Sequence, residues 1–170
     1  AVSFQDIIDG EQVQKGSHVE GDVVYSFPPF ASESTYTKYK DGSQSENVAS
    51  GNYYVLPTAE EFISLKTNQA LVESMDKLTD ETFDYLENGS EPVTQVYCEG
   101  QVIEMDDSEL LGYYNEYLQG LGYTAEEIDA MGTPLIIDYV DFQLVRIMFI
   151  AGIAIVLLGI VLVIRRYRML

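Results

Sequence analysis

Residues Ile147 to Ile164 read IMFIAGIAIVLLGIVLVI, 18 positions without a charged or strongly polar side chain. At 1.5 Å per residue a helix of that length reaches about 27 Å, close to the ~30 Å hydrocarbon core of a bilayer. Such a helix has no polar face to offer water. The run therefore predicts a C-terminal transmembrane helix over residues 146–164, with Ile147 and Ile164 marking the anchor. Arg146 flanks one end, and Arg165, Arg166, Tyr167 and Arg168 flank the other. Arginine side chains reach the headgroups and tyrosine suits the interface. By the positive-inside rule Arg165, Arg166 and Arg168 lock a short cytoplasmic tail over 165–170. Residues 1–145 then lie outside, which predicts a cell-membrane location with an extracytoplasmic N-terminal domain. The opening residues AVSFQDIIDGEQ carry neither a basic n-region nor a long apolar h-region. Export is thus expected to depend on a signal or second span preceding this sequence. Gly152 and Gly159 are seven positions apart and fall on nearly one helix face, where small residues would let two copies pack as a homodimer.

Charge is placed as unevenly as hydrophobicity. All 28 acidic side chains lie between Asp6 and Asp141, against only Lys15, Lys38, Lys40, Lys66 and Lys77 in the same stretch. Residues 1–145 thus carry −23 (28 acids against five lysines) of a chain total of −19. A nucleic-acid binder needs a basic face to neutralise phosphates, so that class is excluded. At 46% hydrophobic residues the chain is too apolar to be an acidic disordered polymer.

Within 1–145, strand-like runs alternate with turn signals. His18–Phe27 is rich in Val and aromatics, with Pro28-Pro29 expected to interrupt it before a continuation over 30–39. Residues 40–52 read as a hairpin tip or loop, with Asp41-Gly42 and Ser50-Gly51 as turn formers. Further strands are expected at 52–57, 62–67, 93–105 and 135–140. Gly100, inside the third of these, suggests a bend or bulge. Asn68 can cap a helix running to about Leu86, with a stripe of Leu71, Met75, Leu78 and Tyr85, and with Asn88-Gly89 as its stop. A second helix spans about 108–119. A third, short helix opens with the capping box Thr124-Ala-Glu-Glu127 and ends at Gly132 and Pro134. Strands, helix, strand, helices, strand is an α+β order. The expected fold is a small bent β-barrel or sheet, OB-like, with inserted helices, followed by the membrane helix.

The segments KGSHVEGDVVYSFPPFASE (15–33), NYYVLP (52–57), FISLK (62–66) and MDKLTDETFDYL (75–86) resemble a family of uncharacterised bacterial membrane-anchored proteins. That resemblance implies a small extracytoplasmic domain of unknown function held by one or two spans. It brings no catalytic residues with it.

Chemistry-bearing residues are few. His18 is the only histidine and Cys98 the only cysteine. Zinc sites built from several His and Cys ligands are excluded, as is an internal disulfide. Alternation puts Cys98 on one strand face with Val96, as a small core residue. No G-x-S-x-G elbow accompanies His18. The pairs Glu60-Glu61, Asp106-Asp107 and Glu126-Glu127 do not by neighbouring in sequence show the facing geometry of a glycosidase. Asp107 and Glu127 have structural roles near helix N-termini. Asp6-Ile-Ile-Asp9-Gly10 is only a fragment of a calcium loop. No phosphate-binding glycine motif occurs. Asn88-Gly-Ser90 matches the N-glycosylation pattern.

Thirteen Tyr stand beside zero Trp. Tyr53, Tyr54, Tyr113 and Tyr114 are the candidate contact surface, because exposed tyrosine is large, rigid and able to hydrogen-bond. The sequence therefore leads to a membrane-anchored extracytoplasmic binding or assembly module, non-enzymatic, with no cofactor, metal or catalytic residue assigned. Its expected partners are membrane lipid, through the C-terminal helix, and an unidentified protein or envelope component. The acidic surface favours cationic or neutral partners. The competing class is a carboxylate-based enzyme or calcium-dependent sensor at the cell surface. It requires three or more carboxylates converging on one point.

Overall fold

The computed structural model describes the backbone of residues 1–140 and 142–168, with side chains other than those of 141, 143, 144 and 161–170. The chain divides into two units, Ala1–Tyr139 and Val140–Leu170.

In the first unit, α1 (Phe4–Ile8) precedes β1 (His18–Val23), β2 (Phe27–Thr35), β3 (Val48–Pro57) and β4 (Phe62–Lys66). Then follow α2 (Val72–Asn88), β5 (Val96–Glu104), α3 (Ser108–Gly120), α4 (Ala125–Ala130) and β6 (Leu135–Tyr139). The six strands form one sheet in the order β1-β5-β6-β4-β3-β2. The β4–β6 pair is parallel, and the other four pairs are antiparallel. The α+β reading stands. The OB-like barrel does not: β1 and β2 lie at opposite ends of an open sheet.

Strand alternation divides the apolar side chains between the two faces. On one face Val19, Tyr54, Leu56, Ile63, Leu65, Cys98, Val102 and Ile137 pack with Phe4 and Ile7 of α1 and Met75 and Leu78 of α2. On the other, Val55, Ile136 and Met105 pack with Tyr114 and Leu118 of α3 and Ile128 of α4. The sheet is thus covered on both sides, the arrangement that buries an apolar row on each face.

The helix boundaries follow local chemistry. Asn68 caps a short 3-10 turn (Gln69–Leu71) that leads into α2, its side chain accepting from the Leu71 N–H. Gly89 ends α2 at φ 78° with its N–H donated to the Tyr85 carbonyl. Inside α2, Thr82 is buried yet satisfied: its Oγ1 donates to the Leu78 carbonyl at 2.8 Å and accepts from the Ser26 N–H at 3.2 Å. Asp107 caps α3 by accepting from Glu109 and Leu110. Thr124 and Glu127 form the expected capping box of α4. A second capping box, Ser3 with Asp6, opens α1.

Two strand expectations are corrected. Pro28 and Pro29 do not interrupt a strand but lie within β2. They are tolerated because β2 is an edge strand pairing only with β3, and the register shifts beside both. Gly100 marks no bulge, since both ladders run through it in unbroken register. It is required by close approach: a Cβ there would lie 2.5 Å from the Asp138 carbonyl oxygen.

The second unit contains α5 (Phe142–Arg168). The expected single-pass transmembrane helix is corrected here. Among the described residues no helix is long and apolar enough to cross a membrane. The expectations placed on Ile164, Arg165, Arg166 and Arg168 fall outside the described side chains. Nothing lies within 4 Å of a Cβ built at Gly152 or Gly159.

Candidate functional site

A cleft of about 520 Å³ opens at one end of the sheet, within the usual size range for small-ligand sites. Four segments wall it. The α1–β1 connection contributes Gly10, Glu11, Gln12 and Val13; the β3–β4 turn contributes Thr58, Ala59, Glu60 and Glu61. Helix α3 adds Leu111, Tyr114, Asn115 and Leu118, and the end of α4 with the α4–β6 connection adds Asp129, Met131, Gly132, Thr133 and Pro134. The floor is apolar, built of Ile7, Ile63, Met105, Leu118 and Ile128, all buried.

Local sequence explains each wall. Gly10 adopts φ 104°, a conformation that side chains other than glycine's rarely allow, and lets the chain turn beside Ala59. The β3–β4 turn is closed by the Thr58 N–H donating to the Glu61 carbonyl at 3.0 Å. The Thr58 hydroxyl in turn accepts from the Glu61 N–H at 2.9 Å. Gly132 at φ 80° follows the last turn of α4. The Met105 N–H donated to the Pro134 carbonyl at 2.9 Å ties the end of β5 to the approach to β6.

The electrostatics of the cleft have one sign. Glu11, Glu60, Glu61 and Asp129 stand around it, all exposed, and no Lys, Arg or His is among its lining residues. Burial, and then the negative charge of Glu61, push the Tyr114 phenol up to about 12. Tyr114 therefore stays a neutral hydroxyl at any physiological pH.

The candidate tyrosines do not form one surface. Tyr54 and Tyr114 are buried, so neither offers contact area. Tyr54 is a core residue whose hydroxyl donates to Asp76 at 2.6 Å, and burial raises its pKa. Tyr53 lies on the opposite sheet face, with the Lys66 ammonium 5.6 Å from its ring centre. Tyr113 is exposed and donates to Glu109 on its own helix. Tyr114 packs edge-on against Phe30.

The remaining candidates settle into structural places. Cys98 is fully buried, and desolvation followed by the charge of Asp22 pushes its thiol up to about 12, which leaves it unreactive. Asp6 belongs to the α1 capping box and Asp9 accepts from Gln5, so the calcium-loop fragment is helix capping. Asp107 and Glu127 are likewise caps.

Three residues not singled out as a group come together on the β1–β5 ladder. Glu20 pairs directly with Glu99, and His18 lies two positions before Glu20 on β1. Their ligand atoms all fall within 4.8 Å of one another. The signal available in sequence was the His-x-Glu spacing, which puts His18 and Glu20 on one strand face. The Glu99 partner required knowledge of the register.

These features define a class: an acidic α+β domain with an open sheet covered on both faces and a ligand-sized cleft at one end. The chain belongs to the family described as Domain of unknown function (DUF8577), which it matches over residues 8–165. That match shows an uncharacterised family; it shows neither membrane anchoring nor a bacterial source. No curated protein and no solved structure matches the chain.

Proposed function

We propose that residues 1–139 form a non-enzymatic binding module whose cleft accepts a ligand with an apolar body and a cationic or neutral polar end. A single observation carries this reading. The cleft combines a buried apolar floor with four rim carboxylates and no basic side chain in its lining. Such a surface attracts cationic groups and disfavours anionic ones. The fitting partner is a protein segment or envelope component in which Lys or Arg adjoins an aliphatic or aromatic side chain.

The test uses two synthetic peptides of equal length, one alternating Leu with Lys and one alternating Leu with Glu. Binding is followed by amide chemical shifts, with Asn115, Thr58 and Thr133 as reporters of the cleft. The Lys peptide is expected to shift these reporters saturably. A Glu60→Gln, Glu61→Gln double variant should weaken it several-fold at unchanged melting temperature. Equal binding of both peptides, or shifts confined to other surfaces, would overturn the reading.

A further inference from the structure

We infer that His18, Glu20 and Glu99 form a binding site for one divalent transition-metal ion of the zinc class. The site lies on the β1–β5 ladder, and none of its residues lines the cleft. It therefore stands or falls independently of the peptide-binding reading.

The first support is geometric. His18 Nε2 lies 3.0 Å from Glu99 Oε1, and the third ligand atom, from Glu20, completes a triangle with no side above 4.8 Å. Ligand atoms around a tetrahedral zinc ion are about 3.3 Å apart when bonds are about 2.0–2.1 Å. The His18–Glu99 edge is already close to that spacing. The other edges need only a side-chain adjustment of Glu20, which is partly exposed. An ion would exchange the His18–Glu99 hydrogen bond for coordinate bonds.

The second support is energetic and comes from the register. Glu20 and Glu99 are directly opposite on antiparallel strands, a placement that is destabilising for like charges. One of them, Glu99, is 7% exposed, so little water screens that repulsion. A dication between the two carboxylates turns the repulsion into coordination. The third consideration is the donor set. One imidazole nitrogen with two carboxylate oxygens suits zinc, manganese or ferrous iron, whereas calcium and magnesium take oxygen ligands alone. His18 keeps 41% of its side chain exposed, so the ion has a route in and water can fill a remaining position.

The test uses the full, tag-free chain and zinc chloride alone as the probe. Calorimetry is run in about 0.5 M KCl with about 1 mM calcium chloride, conditions that suppress diffuse binding to the acidic surface. One zinc per chain with micromolar or tighter affinity is expected. His18→Ala and Glu20→Gln, both at partly exposed positions, should each weaken binding at least tenfold. Glu104→Gln, which removes the exposed partner of Lys15, should leave it unchanged. Because Glu99→Gln risks the fold, it is read only beside its circular dichroism melt. Absence of binding at about 100 μM zinc would overturn the proposal, and so would equal affinity in the His18 and Glu20 variants. Loss of stability in His18→Ala without zinc binding by the parent chain would leave the His18–Glu99 pair as an internal charge contact and overturn it equally.

Discussion

The carbonyl oxygen of Asp138 occupies the space where a side chain at residue 100 would begin, 2.5 Å from the position of a Cβ. Gly100 and Tyr139 are register partners there, so β5 and β6 meet without room for a methyl group. Gly100→Ala must push two central strands apart. Overpacking of this kind typically costs 1–3 kcal/mol, and a backbone obstacle places the variant at about 3 kcal/mol. Urea unfolding should show the midpoint falling at constant slope. A loss below about 0.5 kcal/mol would mean that the strands separate freely.

Glu81 gives a signed dependence on pH. Its carboxylate accepts from the Thr94 N–H at 2.7 Å, the Thr94 hydroxyl at 2.7 Å and the Val93 N–H at 2.8 Å. Those bonds, led by the Thr94 backbone, hold it below the ordinary glutamate value of 4.5. A carboxyl with a lowered folded-state pKa stabilises the fold fully above its unfolded value and loses that contribution as pH falls through the folded one. Glu81→Gln should therefore melt below the parent chain at pH 7, and the gap should narrow as pH drops below about 4.5. The difference between the two chains is the readout, because acidification also relieves repulsion elsewhere. A gap that widens on acidification would contradict the assignment.

Ser64 presents the opposite case. Ser64 lies on β4, between β3 and β6, and its buried hydroxyl has no hydrogen-bond partner among the described residues. An unmet buried hydroxyl costs on the order of 1–3 kcal/mol. Ser64→Ala should be neutral or stabilising by about 1 kcal/mol in chemical denaturation. A destabilisation above 1 kcal/mol would show that the hydroxyl is satisfied in solution.

Salt should stabilise this domain. Its acids far outnumber its lysines, and of the lysines, Lys15, Lys66 and Lys77 are already paired with Glu104, Glu33 and Glu81. Screening weakens the repulsion among the remaining exposed carboxylates. Raising KCl from about 0.05 to about 1 M should lift the melting temperature by several degrees in a thermal scan. A flat profile would show that this repulsion is negligible.

What the sequence made legible were the elements with local signatures. Thr124 and Glu127 announce α4, Asp107 announces α3, and Asn88-Gly89 closes α2. Helix α1 escaped because it is five residues long and its only mark is Ser3 followed by Asp6. The sheet order escaped for a different reason. The β4–β6 pairing joins Ser64 to Ile136, and no local pattern encodes a partner that distant. The cleft and the His18, Glu20, Glu99 group share that cause, since each is assembled by register between separated segments. Tyr54 and Tyr114 were misplaced because a tyrosine's exposure depends on which face its neighbour buries. The expected membrane helix is a correction of another kind: among the described residues no helix is long and apolar enough to cross a membrane.

The place of β6 has a consequence for how the protein comes into being. Among the described residues it is the last strand, and it sits between β5 and β4. A nascent polypeptide lacking residues 135–139 holds β1-β5 and β4-β3-β2 as two fragments with no ladder between them. Each fragment then presents an inner strand as an open edge, the kind of surface that recruits wrong partners. The six-stranded sheet can therefore close only once residues 135–139 have been made, and its two inner edges stay open until that point.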